Sequence, residues 1–287
     1  MIREAAADNA GIITTFLQQH IETSMFLLSN LEQHGIGTSQ HPHATRFFLS
    51  QEGPSLQGVF GCTNDGYLMC QHPGLTPHMA QAYLSGIRGT RIRGMTGAAD
   101  QVAQFITALP DLNGAWLTNR VEPLFALDLA AIKAPGQRLS SPVSGDLSML
   151  KDWFQSYLIE TGIADADNAP AAATTRAAAA IPEQNIRLYK GADGTPIGMT
   201  AVNARAGTAV QIGGVFIAPA HRGKGHASRM LAAQLCELRA DGAQTGLLFA
   251  ASDAAAKAYT RIGFQPSGSY RVAILRQPFI LDAASCP

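Results

Sequence analysis

Residues 210–228 read VQIGGVFIAPAHRGKGHAS, and this stretch decides the fold of the segment around it. Apolar and β-branched residues run up to Pro219 and predict a strand, and the helical spacing of apolar residues begins near Ala227. A short glycine-rich loop joins the two elements. The first turn of a helix leaves backbone amides without internal partners, and the helix dipole favours an anion there. The sequence therefore predicts a phosphate-binding loop between a strand and a helix.

The loop combines glycines with positive charge. Gly223 and Gly225 carry no side chain that would hold an anion away from the backbone amides. Arg222 and Lys224 place cations beside those amides. The spacing does not fit the nucleotide-binding pattern G-x-x-x-x-G-K-[ST]. The dinucleotide pattern G-x-G-x-x-G also fails, because Ser228 stands at the position of its last glycine.

The pattern Arg222-x-x-Gly225-x-Ala227 resembles the pyrophosphate-binding motif of the GNAT acetyltransferase superfamily, whose members bind acetyl-CoA. A second segment, residues 252–264, resembles that family's second signature, a short helix that ends in Tyr-x-x-x-Gly-Phe and here starts the motif at Tyr259. The two signatures stand in the right order and separation, and together they cover roughly the last half of the chain. The resemblance implies an N-acetyltransferase that moves an acetyl group from acetyl-CoA to an amine.

The resemblance also implies which residues contact acetyl-CoA, through the amides of a splayed strand and through the loop. The implied cofactor-binding residues are Val215, Phe216, Ile217, Arg222, Gly223, Lys224, Gly225, His226, Ala227 and Ser228. Within this set, the amide of Val215 is implied to polarise the thioester carbonyl. Tyr259 is implied to be the acid that protonates the departing thiolate.

The general base is the part of the chemistry that the sequence leaves open. Acetyl transfer requires a neutral amine, a polarised carbonyl and a protonated or stabilised thiolate. Residues 208–217 contain no carboxylate, so Glu160, Glu183 and a water chain all stay candidates for receiving the amine proton. The missing strand carboxylate supports an alternative, an inactive CoA-binding sensor or scaffold. Tyr259 and the intact loop favour the enzyme.

Composition and charge exclude several other classes of protein. The chain has 287 residues with 21 basic and 21 acidic side chains. It therefore lacks the excess of positive charge that is typical of proteins that bind nucleic acid or a membrane surface. No apolar run approaches the roughly 20 residues that span a bilayer, and no secretory signal pattern begins the chain. The four cysteines form no CxxC pair, which argues against a metal site. We expect a cytoplasmic protein with an amine acceptor as its partner, and the oligomeric state stays open.

Strand and helix patterns predict a mixed, largely antiparallel α/β sheet flanked by helices, in two tandem domains. Residues 136–287 are predicted to be the GNAT acetyltransferase domain, and residues 1–135 resemble a degenerate GNAT-like domain that supports the acceptor site. The first half has Gln-His-Pro-Gly at residues 71–74, where the second has its loop; proline offers no N–H, and no basic residue stands beside it. We therefore expect one acetyl-CoA per chain, in a V between the strands at 210–217 and 245–250.

Overall fold

A computed structural model describes residues 2–37, 39–110, 112, 114–133, 136 and 139–281. The chain forms two compact units, unit 1 with residues 1–122 and 268–287, and unit 2 with residues 123–267. The predicted boundary at residue 135 divides the chain at one place. The two compact units are instead separated at two places, between residues 122 and 123 and between residues 267 and 268. Residues 134 and 135, next to the predicted boundary, lie outside the described residues.

The helices and strands follow the predicted order closely. The first ten are β1 (Ile2–Glu4), α1 (Ala10–Gln18), α2 (Ile21–His34), β2 (Thr45–Glu52), β3 (Ser55–Thr63), β4 (Tyr67–Gln71), α3 (Pro77–Gly86), β5 (Arg91–Ala98), α4 (Ala99–Ala108) and β6 (Trp116–Asp128). The rest are α5 (Leu147–Glu160), α6 (Ala169–Ala179), β7 (Ile186–Lys190), β8 (Pro196–Ala206), β9 (Ala209–Ile217), α7 (His226–Ala240), β10 (Thr245–Phe249), α8 (Asp253–Thr260) and β11 (Gln265–Ile280).

Unit 1 contains a sheet in the order β1-β2-β3-β4-β5-β11, in which only the β4–β5 pair is parallel. A hairpin turn at residues 64–66 joins β3 to β4, and Gly66 adopts a φ of 89° that favours glycine. An aromatic cluster fills the core, with the rings of Phe60 and Tyr83 stacked at 4.8 Å and Phe105 packed edge-on against both.

Unit 2 contains a sheet in the order β6-β10-β9-β8-β7, in which only the β9–β10 pair is parallel. Helices α7 and α8 bury residues such as Leu231 and Leu235 in one core with Val210 and Ile212 of β9. Helices α5 and α6 form a second core with Met199 of β8. Both cores consist of apolar side chains, so the sheet is flanked by helices as predicted.

The two units repeat one topology. The order β2-β3-β4-β5-β11 in unit 1 corresponds to β7-β8-β9-β10-β6 in unit 2, and each sheet has its one parallel pair at the same place. The last strand of each sheet comes from the other half of the chain, because β6 follows α4 yet pairs with β10, while β11 follows α8 yet pairs with β5. The predicted fold class, a tandem repeat of a mixed and largely antiparallel α/β sheet, is confirmed.

Candidate active site

Strands β9 and β10 diverge in the middle of unit 2. Their parallel pairing covers only residues 209–211 with 245–247 and ends at Gln211 and Leu247. Beyond that point β9 continues to Ile217 paired with β8, and β10 continues to Phe249 paired with β6. A V therefore opens between the two strands at the place where the sequence predicts it, and its β9 side ends at the predicted phosphate loop.

A β-bulge lies on the β9 side of the V. Phe216 pairs with Met199 and Gly213 pairs with Ala201, so Gly214 and Val215 together face one residue of β8. Gly214 has a φ of 58°, and a Cβ there would come 3.0 Å from the Ala201 side chain, so the position requires glycine. A bulge leaves the extra residue out of the regular ladder, and the role of the Val215 amide stays a prediction.

Helix α5 contacts this bulged part of β9 through two aromatic side chains. The Gly214 N–H donates a hydrogen bond to the Tyr157 hydroxyl at 3.3 Å. One turn earlier, the ring of Trp153 packs against Phe216 with 5.9 Å between centroids. The sequence indicates that both side chains lie on the apolar stripe of the helix, but it does not reveal the contact between Tyr157 and the backbone.

Arg222 fixes the end of β9 instead of reaching freely into solvent. Its Nε donates to the carbonyl of Ile217 at 2.8 Å, and its Nη2 lies 2.9 and 3.0 Å from the two oxygens of Glu160. The guanidinium also lies over the ring of Phe216 at 5.2 Å. Arg222 is therefore held by α5 and β9 at the entrance of the loop, while its predicted contact with phosphate stays a prediction.

The two carboxylates considered as general bases are both engaged with other groups. Glu160 is bound by Arg222 through both oxygens. Glu183 accepts a hydrogen bond from the Asn185 side chain at 2.9 Å and is exposed. Which group would act as the base therefore stays open among Glu160, Glu183 and water.

The loop itself has the geometry of an anion cradle. Gly223 and Gly225 adopt left-handed conformations with φ of 75° and 73°, and Gly225 is the N-cap of α7 with no side-chain cap. Among the described residues, no acceptor is hydrogen-bonded to the amides of residues 223–228. Six successive amides around a helix start are thus available to a phosphate.

Positive charge surrounds this helix start, partly from a residue that sequence reasoning missed. Arg229 donates through Nη2 to the Lys224 carbonyl at 2.8 Å and lies 3.1 Å from Nδ1 of His226. Burial lowers the pKa of His226 below its ordinary value, and the charges of Arg229, His221 and Lys224 lower it further. The signal for Arg229 in the sequence is its place in the first turn of α7, one residue after the predicted motif.

A groove of about 240 Å³ runs from this loop between α7 and α8. Its lining consists of Gly225, Ser228, Arg229, Ala232, Arg261 and Ile262. The hydroxyl of Ser228 donates to the carbonyl of Ala258 at 3.1 Å, which ties the start of α7 to α8. Two guanidinium groups in a largely apolar groove suit the anionic nucleotide end of a cofactor.

Tyr259 lies near the end of α8 with only 5% of its surface exposed. Its ring is 6.2 Å from the rings of Phe125 and Phe264, so it belongs to the core between the sheet and α8. Gly263, with a φ of 104°, ends the helix as predicted. The burial holds the ring in one place, and its role as the acid stays a prediction.

Two further features bear on the class of protein. No group of three or more metal-ligating side chains in the described part of the chain is arranged to hold a metal ion. None of the helices within the described ranges combines the length and apolar character needed to cross a bilayer.

Part of this chain is similar to a known protein family. Residues 184–266, which contain the V and the loop, match the family model described as an acetyltransferase (GNAT) domain. A search of curated proteins found no match.

Several solved structures share the fold over the whole chain. An acetyltransferase of the GNAT family from Colwellia psychrerythraea is 15% identical, with 96% of this chain and 99% of that chain covered and a TM-score of 0.50. A GCN5-related N-acetyltransferase from Sphaerobacter thermophilus is 12% identical, with coverage of 98% and 96% and a TM-score of 0.53. A Drosophila protein is 13% identical, with coverage of 96% and 98% and a TM-score of 0.60. At these identities the likeness concerns the fold.

Proposed function

We propose that this protein, whose residues 184–266 match the family model of an acetyltransferase (GNAT) domain, is an N-acetyltransferase that moves the acetyl group of acetyl-CoA directly to an amine in a ternary complex. The observation that carries the proposal is the V between β9 and β10, which leads into a loop whose six amides at residues 223–228 have no acceptor among the described residues. An arrangement that pairs a splayed strand with an anion cradle fits a ligand with an extended arm and a pyrophosphate.

The residues present fit acetyl-CoA along its length. The proposed contacts are the amides of Val215, Phe216 and Ile217, the loop residues Arg222, Gly223, Lys224, Gly225, His226, Ala227 and Ser228, and the groove residues Arg229 and Arg261. Acetyl-CoA supplies a thioester, which is an activated acyl group. The chain's own residues hold it, orient it and manage the protons.

The proposed transfer conserves atoms and protons. The amine nitrogen forms a bond to the carbonyl carbon, and the C–S bond breaks with its electron pair going to sulfur. The amide N–H of Val215 stabilises the charge that develops on the carbonyl oxygen. Tyr259 gives its phenolic proton to the sulfur and regains one from water, and water takes the proton that the amine loses.

The acceptor is a small-molecule amine, an amino acid or a peptide N-terminus. The three free cysteines of the described residues, Cys62, Cys70 and Cys236, fit a reducing compartment, so a cytoplasmic location belongs to the proposal. The net charge of zero fits an acceptor that is not a nucleic acid.

Thiol release from acetyl-CoA over a panel of amines tests the proposal. We expect at least one of the three acceptor classes to release free CoA thiol in step with an N-acetyl product seen by mass spectrometry. Variant Gly225→Glu should abolish both signals. If CoA binds tightly but no amine in any class is acetylated, the proposal fails and the inactive CoA-binding alternative replaces it.

A further inference from the structure

The last turn of α5 carries a negative charge at the end of the helix that favours a positive one. Glu160 is the final residue of α5, and the last turn contains no basic residue. The C-terminal end of a helix has a partial negative charge of its own, which repels a carboxylate and attracts a cation. The cation comes from the loop after β9, because Nη2 of Arg222 lies 2.9 and 3.0 Å from the two oxygens of Glu160. Arg222 therefore offsets the charge of the carboxylate and of the helix end together.

The side chain of Arg222 connects this helix end to the turn that leads into the loop. After β9 the chain makes one turn of 3-10 helix at Pro219–His221. Nε of Arg222 donates across that turn to the carbonyl of Ile217 at 2.8 Å, and the guanidinium lies over the ring of Phe216 at 5.2 Å. One side chain thus contacts the end of β9 and the end of α5, and it belongs to the residue directly before Gly223.

The loop that begins here depends on such a contact for its position. Gly223 and Gly225 make its backbone conformationally permissive. A Cβ built at Gly223 would come within 4 Å of no atom of the described residues, so the surroundings do not confine this part of the loop. Ordering a permissive loop costs entropy when a ligand binds, and a loop that is already fixed at one end loses less. The contact between Arg222 and Glu160 supplies that fixed end.

We propose that Glu160 is a positioning residue for CoA binding, which holds Arg222 and thereby fixes the start of the loop at residues 222–228. The inference rests on the proposed function and gives Glu160 a task other than proton transfer. Coulomb repulsion alone would make a carboxylate near an anion site weaken the binding of a pyrophosphate, so its removal would strengthen binding. Positioning predicts the opposite sign: removal of the carboxylate weakens CoA binding.

Calorimetry with CoA tests the sign on Glu160→Gln, with Asp152→Asn as the matched control. Asp152 is exposed on α5 roughly two turns before Glu160, so the control removes the same charge from the same helix without touching Arg222. The side chains of the Glu160–Arg222 pair are nearly half exposed, and solvent screens their attraction. We therefore expect binding about fivefold weaker in Glu160→Gln and within about twofold of the parent in Asp152→Asn. Tighter binding in Glu160→Gln, or binding equal to that of the control, overturns the assignment.

A double-mutant cycle shows whether Glu160 acts through Arg222. In the Arg222→Gln background, Glu160→Gln should change CoA affinity by less than about twofold, because the carboxylate no longer has a guanidinium to hold. Independent losses that multiply in the double variant overturn the assignment. If circular dichroism shows that Arg222→Gln does not fold, Arg222→Lys replaces it in the cycle, since lysine lacks the planar fork that bonds Ile217 and Glu160 together.

Steady-state kinetics separate positioning from proton transfer and from a purely structural role. In Glu160→Gln the KM for acetyl-CoA should rise about fivefold, while kcat at saturating acetyl-CoA stays within about threefold of the parent. A kcat lower by about 100-fold with the parent's KM would make Glu160 the base and overturn the assignment. A lower melting temperature with the parent's KM would make its role structural and overturn it as well. If the parent binds no CoA, the proposed function fails and the assignment fails with it.

Discussion

The loop at residues 222–228 in unit 2 and the equivalent connection at residues 72–76 in unit 1 join the same elements, but their backbone amides differ in how many are hydrogen-bonded. In unit 2 the amides around the start of α7 have no acceptor among the described residues. In unit 1 the amide of His72 donates to the Gln101 side chain at 2.8 Å, and the amide of Leu75 donates back to His72 at 3.0 Å. A phosphate can bind only where such donors are left unpaired.

The helices that follow these connections begin differently. Helix α3 is capped by its own chain, because the Thr76 hydroxyl accepts the amide of Met79 at 3.3 Å and Pro77 supplies no N–H at all. Helix α7 begins after Gly225, which has no side chain to cap it. The first turn of α3 thus has a side-chain cap, whereas the first turn of α7 has none and leaves its amides to an external acceptor.

The strands that lead into the two connections also differ. In unit 1, β4 pairs with β5 along residues 67–70, almost its whole length, so no V opens. In unit 2, β9 pairs with β10 along residues 209–211 and then continues for six residues without it. A cofactor arm that binds strand amides fits unit 2, because unit 1 has already used its amides for the sheet.

The two units also differ at the position of the proposed acid, Tyr259. Tyr259 is seven residues after Ser252, the N-cap of α8, and Phe105 is seven residues after Ala98, the N-cap of α4. Both rings are buried. The matching position in unit 1 therefore has a buried aromatic ring without the hydroxyl.

The largest expected effect is on CoA binding, and it compares one glycine from each connection, Gly225 in unit 2 and Gly74 in unit 1. Gly225→Glu should weaken CoA binding about 100-fold or more, because it places a carboxylate where the pyrophosphate is proposed to bind. Gly74→Glu is the matched control, since Gly74 has a φ of 80° and the same strain on substitution. Calorimetry should show parental affinity for Gly74→Glu. Equal losses in the two folded variants would contradict the assignment of the site to unit 2.

The next effect concerns the hydroxyl that unit 1 lacks. Tyr259→Phe places in α8 the same residue type that α4 has at Phe105. The variant should lower turnover about 10-fold or more with little change in CoA affinity, because only protonation of the thiolate is affected. Steady-state kinetics and calorimetry on the same preparation check this. A variant as fast as the parent would mean that water supplies the proton.

The smallest expected effect is a proton taken up on binding. Because burial and neighbouring cations lower the pKa of His226 below 6.5, a bound phosphate should raise it, and the protonated form then binds more tightly. CoA affinity should therefore increase by about threefold as the pH falls from above the pKa of His226 in the complex to below the pKa of His226 in the free protein.

Comparison of His226→Gln with the parent cancels the ligand's own titration. Titration in buffers of different ionisation enthalpy should show proton uptake in the parent and its loss in His226→Gln. His78→Gln, in the first turn of α3, is the control from unit 1 and should keep the uptake of the parent. Uptake that survives in His226→Gln would show that another group titrates.

The sequence predicted the elements of this fold well, and it predicted the contrast between the two connections from Pro73 and the glycines at 223 and 225. The patterns of residues close together in the sequence are enough to predict helices, strands and turns. It did not predict which sheet receives β6 and β11, since the pairing of a strand is set by partners that are distant in the sequence. The contact of Arg222 with Glu160 joins residues 62 positions apart, and that of Tyr157 with Gly214 joins residues 57 apart. No local pattern encodes either.

The number of CoA molecules bound per chain tests the central claim most directly, because the claim is that only one of the two equivalent connections binds a pyrophosphate. A calorimetric titration of the full chain with CoA should saturate at one equivalent, with the site lost in Gly225→Glu and kept in Gly74→Glu. Saturation at two equivalents, or one equivalent that survives in Gly225→Glu and disappears in Gly74→Glu, would contradict the account.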